Sequence, residues 1–223
     1  MGFLVKVRGK NLQEIKPYLE IAVDNIIEGK IIAFPTDSVY GIGADPKNLE
    51  AVNRIFNIKF RDRSKGLILL VLDFKEAEKI AEFNDLAKFL AKKFWPGLLT
   101  LVLRKKEPSI IPAEVTAFKD TIGLRIPKNE IIVNILQILK TRGYFGGIIG
   151  TSANYSGEPP CTSGDEIAKK FLSPIDLIID GGKLKSKLAT TIIKCTSNKP
   201  EFLRLGTLTE EEVQDIIKKE FQY

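Results

Sequence analysis

The chain contains no histidine at all, and this absence removes more chemistry than any motif adds. Histidine-based triads, histidine zinc sites and imidazole general bases are excluded. The two cysteines, Cys161 and Cys195, are far apart in sequence and have no metal-ligand spacing, so they are expected to be unpaired thiols in a reducing compartment. The sequence Gly-x-x-x-x-Gly-Lys-Ser/Thr occurs nowhere, so any nucleotide must be held without a P-loop. The longest apolar runs, Gly66 to Leu72 and Leu98 to Leu103, fall far short of the roughly 20 residues that span a bilayer. The start, Met1 to Arg8, alternates like a short strand and does not resemble a signal peptide. A soluble, cytoplasmic protein with no membrane partner is the expectation.

What remains is 223 residues with 44% hydrophobic and 28% charged content, ordinary globular composition, and enough chain for one large α/β domain over residues 1–223. No internal repeat or low-complexity run interrupts it. The formal charge of +6 and pI near 9.1 favour anionic partners, either RNA or simply a solvated basic surface. Chemistry must rest on Lys, Arg, carboxylates and hydroxyls, with or without a hard cation.

Leu12, Ile15, Leu19, Val23, Ile26 and Ile27 follow helical spacing closed by Gly29, and a strand follows through Phe34. Gly41-x-Gly43 is too short for a dinucleotide fingerprint and is read as a tight turn. Leu49, Val52, Ile55 and Phe56 give a second helix, which delivers Lys59 and Arg61 at its exit, and 66–72 is a buried strand. One or two helices occupy 74–94. Strands are expected at 98–104, 121–126, 148–151, 176–179, 190–195 and 201–205, and helices at 130–140, 164–172 and 209–221. Near-continuous apolar strands alternating with helices imply a mixed, twisted open α/β sheet with flanking helices and a concave basic ligand-binding face.

Polar groups collect where apolar strands end, the usual place for ligand sites in α/β proteins. Lys59, Arg61, Arg63 and Lys65 alternate, so an extended chain would point all four to one side, either toward phosphates or into solvent. Thr36, Asp37 and Ser38 are either ligand groups or local turn and cap groups. Thr151-Ser152-Ala153-Asn154 can grip a ribose or phosphate, or make an ordinary Asx turn. Arg125 within Ile122-Gly123-Leu124-Arg125-Ile126 is expensive to desolvate without a carboxylate or ligand, and is read as a carboxylate clamp. Trp95-Pro96-Gly97 is read as a structural corner.

Taken in order, the segments 34–43, 58–61, 65–67, 94–97, 121–127 and 150–157, then Asp180-Gly181-Gly182, Thr190-Thr191-Ile192-Ile193 and Arg204-Leu205-Gly206, resemble the YrdC/Sua5 family of threonylcarbamoyl-AMP synthases, in its single-domain form, over nearly the whole chain. The resemblance implies a YrdC-like fold and a nucleotidyltransferase that makes L-threonylcarbamoyladenylate and pyrophosphate from ATP, L-threonine and bicarbonate, for modification of A37 in tRNA. It implies that Lys59, Arg61, Lys65, Thr121, Ser152, Asn154 and Arg204 bind ATP, with Lys59 and Arg61 catalytic, and that Ser38, Arg125 and Thr191 hold threonine. Mg²⁺ would accompany ATP, with no protein metal ligand assigned. Partners would be the machinery that transfers the threonylcarbamoyl group, and tRNA or double-stranded RNA. Ser38 stands where many relatives carry threonine, Phe60 where glycine is common, and Thr190 where serine is usual. A YciO-like paralogue without this activity and a non-catalytic RNA-binding protein are the alternatives; a carbamoyltransferase-linked role fits less well in a chain without zinc motifs.

Overall fold

The computed structural model describes residues 2–172 and 175–221. Met1, the first residue of the expected amino-terminal strand, lies outside the described residues. Two sheets form where one was expected. The first contains β1 (Phe3–Lys6), β2 (Ile32–Phe34), β3 (Gly41–Gly43), β9 (Thr151–Ser152) and β10 (Leu177–Asp180), in the order β1-β10-β2-β3-β9. The second contains β4 (Ile68–Val71), β6 (Leu99–Lys105), β7 (Thr121–Arg125), β8 (Gly147–Ile149), β11 (Thr191–Lys194) and β12 (Glu201–Arg204), in the order β12-β11-β6-β7-β4-β8, with β5 (Ala81–Glu82) paired to β6. Both sheets are mixed: β1 with β10, β10 with β2, β6 with β11 and β4 with β7 run parallel, and the other pairs antiparallel.

Among the described residues seven α-helices flank them: α1 (Leu12–Ile27), α2 (Leu49–Lys59), α3 (Phe74–Glu78), α4 (Asp85–Phe94), α5 (Glu130–Thr141), α6 (Gly164–Lys170) and α7 (Glu210–Glu220). Their starts follow from side-chain chemistry. Asn11 and Glu14 form a capping box on α1, Thr209 and Glu212 form another on α7, and Asn48, Asn84 and Asn129 cap α2, α4 and α5, each satisfying backbone donors that the helix itself cannot. The stripe Ile15, Leu19, Val23 and Ile26 of α1 packs with Ile132, Ile135, Leu136 and Leu139 of α5 in one apolar core, while α2 and α4 cover a second, larger one.

Three expectations need correction. Gly41-x-Gly43 is a strand, and its glycines serve close approach: a Cβ at Gly41 would lie 2.8 Å from the Phe34 ring, and one at Gly43 2.3 Å from the Ile149 carbonyl oxygen. The run 148–151 is two strands, because Gly150 carries the chain from the second sheet to the first at a point where a Cβ would meet Leu70 at 2.2 Å. Lys59 to Lys65 is not extended. Lys59 closes α2, Phe60 is left-handed at φ 49°, and Arg63 turns back to Asn53 and Asn57, so the four cations diverge.

Candidate functional site

One face of the second sheet forms the floor of a cavity of about 420 Å³, and the ends of β3 and β9 supply a wall. Strand alternation decides which side chains reach it. Thr100 and Val102 of β6 line it, as do Thr121, Gly123 and Arg125 of β7, and Thr190, Ile192 and Lys194 on β11 and the residue before it. Five cations, Arg61, Lys119, Arg125, Lys194 and Arg204, line the cavity, and no Asp or Glu does. Arg125 pairs with Asp37 and Lys194 with Glu201, while Arg61, Lys119 and Arg204 have no carboxylate partner among the described residues. The Arg204 guanidinium is held below its ordinary pKa by desolvation and then by the charges of Arg61 and Arg125, as converging guanidiniums require. Such a cavity suits a multiply charged anion.

Arg125, buried at 5% exposure, is held by three protein acceptors. Its Nε donates to the Gly97 carbonyl at 2.9 Å, Nη1 to Ser38 Oγ at 3.0 Å and Nη2 to Asp37 Oδ1 at 2.6 Å. The Trp95–Gly97 corner provides the first acceptor and is tied to the end of β7 by Gly97 N–H to the Ile126 carbonyl at 2.9 Å. Thr36 locks the loop after β2: its Oγ1 accepts from Ser38 N–H at 3.1 Å and donates to the Val39 carbonyl at 2.6 Å. Burial lowers the Arg125 pKa from its ordinary value and Asp37 opposes that shift. Part of the planar fork is thus committed to protein groups, and two of its five N–H donors remain for a ligand.

Ser38, Arg61, Thr121, Arg125, Ser152 and Arg204 all line the cavity, so the fold brings together six of the residues singled out in the sequence. Lys59, Lys65, Asn154 and Thr191 are not among the lining residues. Lys65 is exposed on the turn after α2. Thr191 faces away from the cavity, donating to the Leu208 carbonyl at 2.5 Å and accepting from Gly206 N–H at 2.9 Å, while its neighbour Thr190 faces the cavity. Lys59 is buried behind the wall: its Nζ donates to the carbonyls of Ser152 and of Asn154, and its own carbonyl accepts from Ser156 N–H at 2.9 Å. Burial, followed by the Arg61 charge, pushes its ammonium down to about 7. Asn154 Oδ1 is a buried acceptor without a partner among the described residues.

Sequence reasoning did not single out Thr100, Thr116, Lys119 or Lys194 and gave Thr190 no site role, yet all five line the cavity. Thr100 Oγ1 lies 2.8 Å from Thr190 Oγ1, and Arg204 donates to the Thr190 carbonyl through Nε and Nη2 at 3.1 and 2.8 Å. Once Thr190 is set inward, the period of two alone would have identified Ile192 and Lys194. Both cysteines are free and buried, and burial raises both thiol pKa values, that of Cys195 to about 12. No helix among the described residues is long and apolar enough to cross a membrane.

The fold and site thus define a mixed α/β protein whose cavity, walled by both sheets, is lined by five cations and by no Asp or Glu among the described residues. The chain belongs to the Sua5/YciO/YrdC family, whose profile, described as "Telomere recombination", matches residues 24–206. It is similar to the threonylcarbamoyl-AMP synthase of Pyrococcus abyssi, with 38% identity over 218 residues, 97% of this chain and 61% of that protein. A Methanocaldococcus jannaschii relative is 41% identical over 205 residues, 92% of this chain and 93% of that protein. Among solved structures, P. abyssi Sua5 complexed with L-threonine superposes with a TM-score of 0.86 at 38% identity, covering 96% of this chain and 61% of that one. Escherichia coli YciO superposes with a TM-score of 0.83 at 27% identity, covering 95% and 99%. The chain therefore spans about three-fifths of the length of the P. abyssi protein.

Proposed function

We propose that this chain, as a single unit of residues 1–223, is an L-threonylcarbamoyladenylate synthase that consumes ATP, L-threonine and bicarbonate and releases pyrophosphate. The observation that carries the reading is the cavity lining, where hydroxyls meet five cations, of which Arg61, Lys119 and Arg204 have no carboxylate partner among the described residues. Its likeness to a protein solved with L-threonine supports the choice of amino acid.

In this reading Arg61, Arg204, Thr121 and Ser152 contact the nucleotide, and Lys65 extends the cationic path at the rim. Lys59 and Asn154 act on the phosphates by shaping the loop that carries Ser152. Ser38 and the free donors of Arg125 take the threonine carboxylate, and Thr191 anchors the strand end that offers Thr190. The threonine amine attacks the carbon of bicarbonate, the new N–C bond replaces a C–O bond, and water leaves to give a carbamate. A carbamate oxygen then attacks the α-phosphorus, the bond to the bridging oxygen breaks, and pyrophosphate leaves with that oxygen. No protein nucleophile is needed, so rate is gained by positioning and by charge stabilisation. The donor set does not fit a protein-held metal, since the lining includes no carboxylate and the described residues include no cluster of three or more Asp, Glu, His or Cys. Mg²⁺ enters as the counter-ion of the ATP phosphates.

The adenylate would serve modification of A37 in tRNA, through a separate transfer machinery, in the cytoplasm. The likeness to YciO favours one other reading, the same fold without the synthase reaction. Pyrophosphate release separates them: it should require threonine and bicarbonate together, whereas release indifferent to both, or none at all, rejects the synthase reading.

A further inference from the structure

A second cavity, of about 570 Å³, opens where α3, α4 and the Trp95–Gly97 corner meet, and it shares no lining residue with the first. Its size lies within the roughly 300–1,000 Å³ of small-molecule sites. Lys88, Ala91 and Lys92 line it from α4, where a spacing of three and four residues puts them on one face, and Trp95 follows at the helix end. Leu86 and Leu90 take the opposite face of α4, into the larger core. Aromatic rings stiffen the wall, since Phe74 and Trp95 are joined through Phe83, at 4.7 and 6.2 Å between ring centres. The indole is fixed further by its Nε1, which donates to the Leu99 carbonyl at 2.7 Å.

Three charged residues line this cavity, and only two of them are free. Asp73 is committed to the fold, because its Oδ1 caps α3 by accepting from Glu76 N–H at 2.8 Å. Lys93, the next lysine of α4, pairs with Glu220, whereas Lys88 and Lys92 have no carboxylate partner among the described residues. Two unpaired ammoniums one helical turn apart, beside an apolar wall with fixed rings, complement a flat apolar body that ends in an anionic head. A purely apolar ligand leaves both cations unused, and a bare phosphate leaves the rings unused. A standard protein interface takes about 20–30 residues a side, many more than line this cavity. We propose that this cavity is a second ligand site, which takes a small aromatic carboxylate or sulfonate. Its occupant would rest on the corner that supports Arg125: Pro96 and Ile126 line the cavity, the Gly97 carbonyl accepts from Arg125 Nε at 2.9 Å, and Gly97 N–H donates to the Ile126 carbonyl at 2.9 Å. The proposal stands independently of the synthase reading.

The test is a fluorescence titration of the full chain with anilinonaphthalenesulfonate, an aromatic anion, and with phenylnaphthylamine, its uncharged congener, repeated on the double variant Lys88→Gln/Lys92→Gln. Both lysines are exposed, so the thermal midpoint of the variant should match that of the parent. The anion should bind saturably, one per chain, and quench Trp95, the only tryptophan in the sequence. The double variant should weaken the anion about tenfold or more and leave the affinity of the uncharged congener unchanged. Pyrophosphate should displace neither probe, because the two cavities have no lining residue in common. Absence of saturable binding, displacement of the anion by pyrophosphate, or parental affinity in the double variant would overturn the proposal. So would self-association of the chain that the double variant abolishes, which would assign this face to a second copy.

Discussion

Replacing Lys59 by methionine keeps the volume of a buried side chain and removes its titration, and the stability it costs should grow with pH. The folded ammonium titrates near 7 against an ordinary 10.5. Below pH 7 both folded and unfolded chains carry the proton, and burial of the charge weighs against folding at every such pH. Between about 7 and 10.5 the unfolded chain binds a proton that the folded chain does not, so stability rises with pH. At about 1.4 kcal/mol per pH unit, the full window corresponds to an upper figure of about 5 kcal/mol. The neutral amine keeps two N–H donors, one for the Ser152 carbonyl and one for that of Asn154. Methionine leaves both carbonyls without this donor, at a cost of about 1–3 kcal/mol each. The variant should thus be near parity with the parent at pH 6 and clearly less stable at pH 9.5, as read by urea unfolding at half-unit steps. Tyr40 and both cysteines, whose pKa values are raised by burial, push stability the other way at the alkaline end, so the difference between the two proteins is the informative quantity. Parallel stability curves from pH 6 to 9.5 would refute the buried-amine reasoning.

Arg125→Lys keeps the charge but cannot reproduce three separate bonds to Gly97, Ser38 and Asp37, so the thermal midpoint should fall and the KM for threonine should rise more than that for ATP; equal rises in steady-state assays would remove Arg125 from the amino-acid site. Valine should be rejected strongly, by roughly 10⁴-fold if a buried hydrogen bond to the substrate hydroxyl goes unmet, and serine by about 10- to 200-fold, in a comparison of adenylate yields at matched concentrations; valine performing like threonine would contradict the pocket assignment. Glu76→Gln should destabilise at neutral pH and lose its effect as pH falls below the ordinary carboxylate range. Burial pushes this carboxyl up, but the bonds from Lys140, Lys79 and Gly146 N–H prevail and hold its pKa down, so its contribution is present above the ordinary carboxylate range and lost as pH falls. A pH-independent difference in unfolding free energy would show that packing alone is at stake.

Much of the fold is legible where one period runs long enough. The spacing through α1 and α5 marks those helices to within a residue, because a single apolar face decides both. Gly41-x-Gly43 is misread because its strand role depends on the Phe34 ring and the Ile149 carbonyl, contacts invisible in a local window. The two-residue β5 and the break at Gly150 fail for the same reason. Pairing partners are non-local, so the division into two sheets has no local signal. In the site, Arg125 stands out because a guanidinium among aliphatics demands partners, and the demand is met first by Asp37. Alternating cations suggest an extended stretch, yet the left-handed Phe60 turns the chain and sends Lys59 behind the cavity wall and Arg61 into it. Thr190 and Thr191 differ only in which face of the strand each takes, which register fixes and composition does not.

The central claim is the synthesis of a threonylcarbamoyl adenylate within this cavity, and mass spectrometry of the reaction product tests it most directly. Purified protein incubated with ATP, L-threonine and ¹³C-bicarbonate should yield a nucleotide with the mass of threonylcarbamoyl-AMP bearing one ¹³C, in stoichiometric step with pyrophosphate, and Arg61→Ala should reduce it by about ten- to a hundred-fold. AMP and pyrophosphate without the labelled adenylate, or an unlabelled product, would contradict the account.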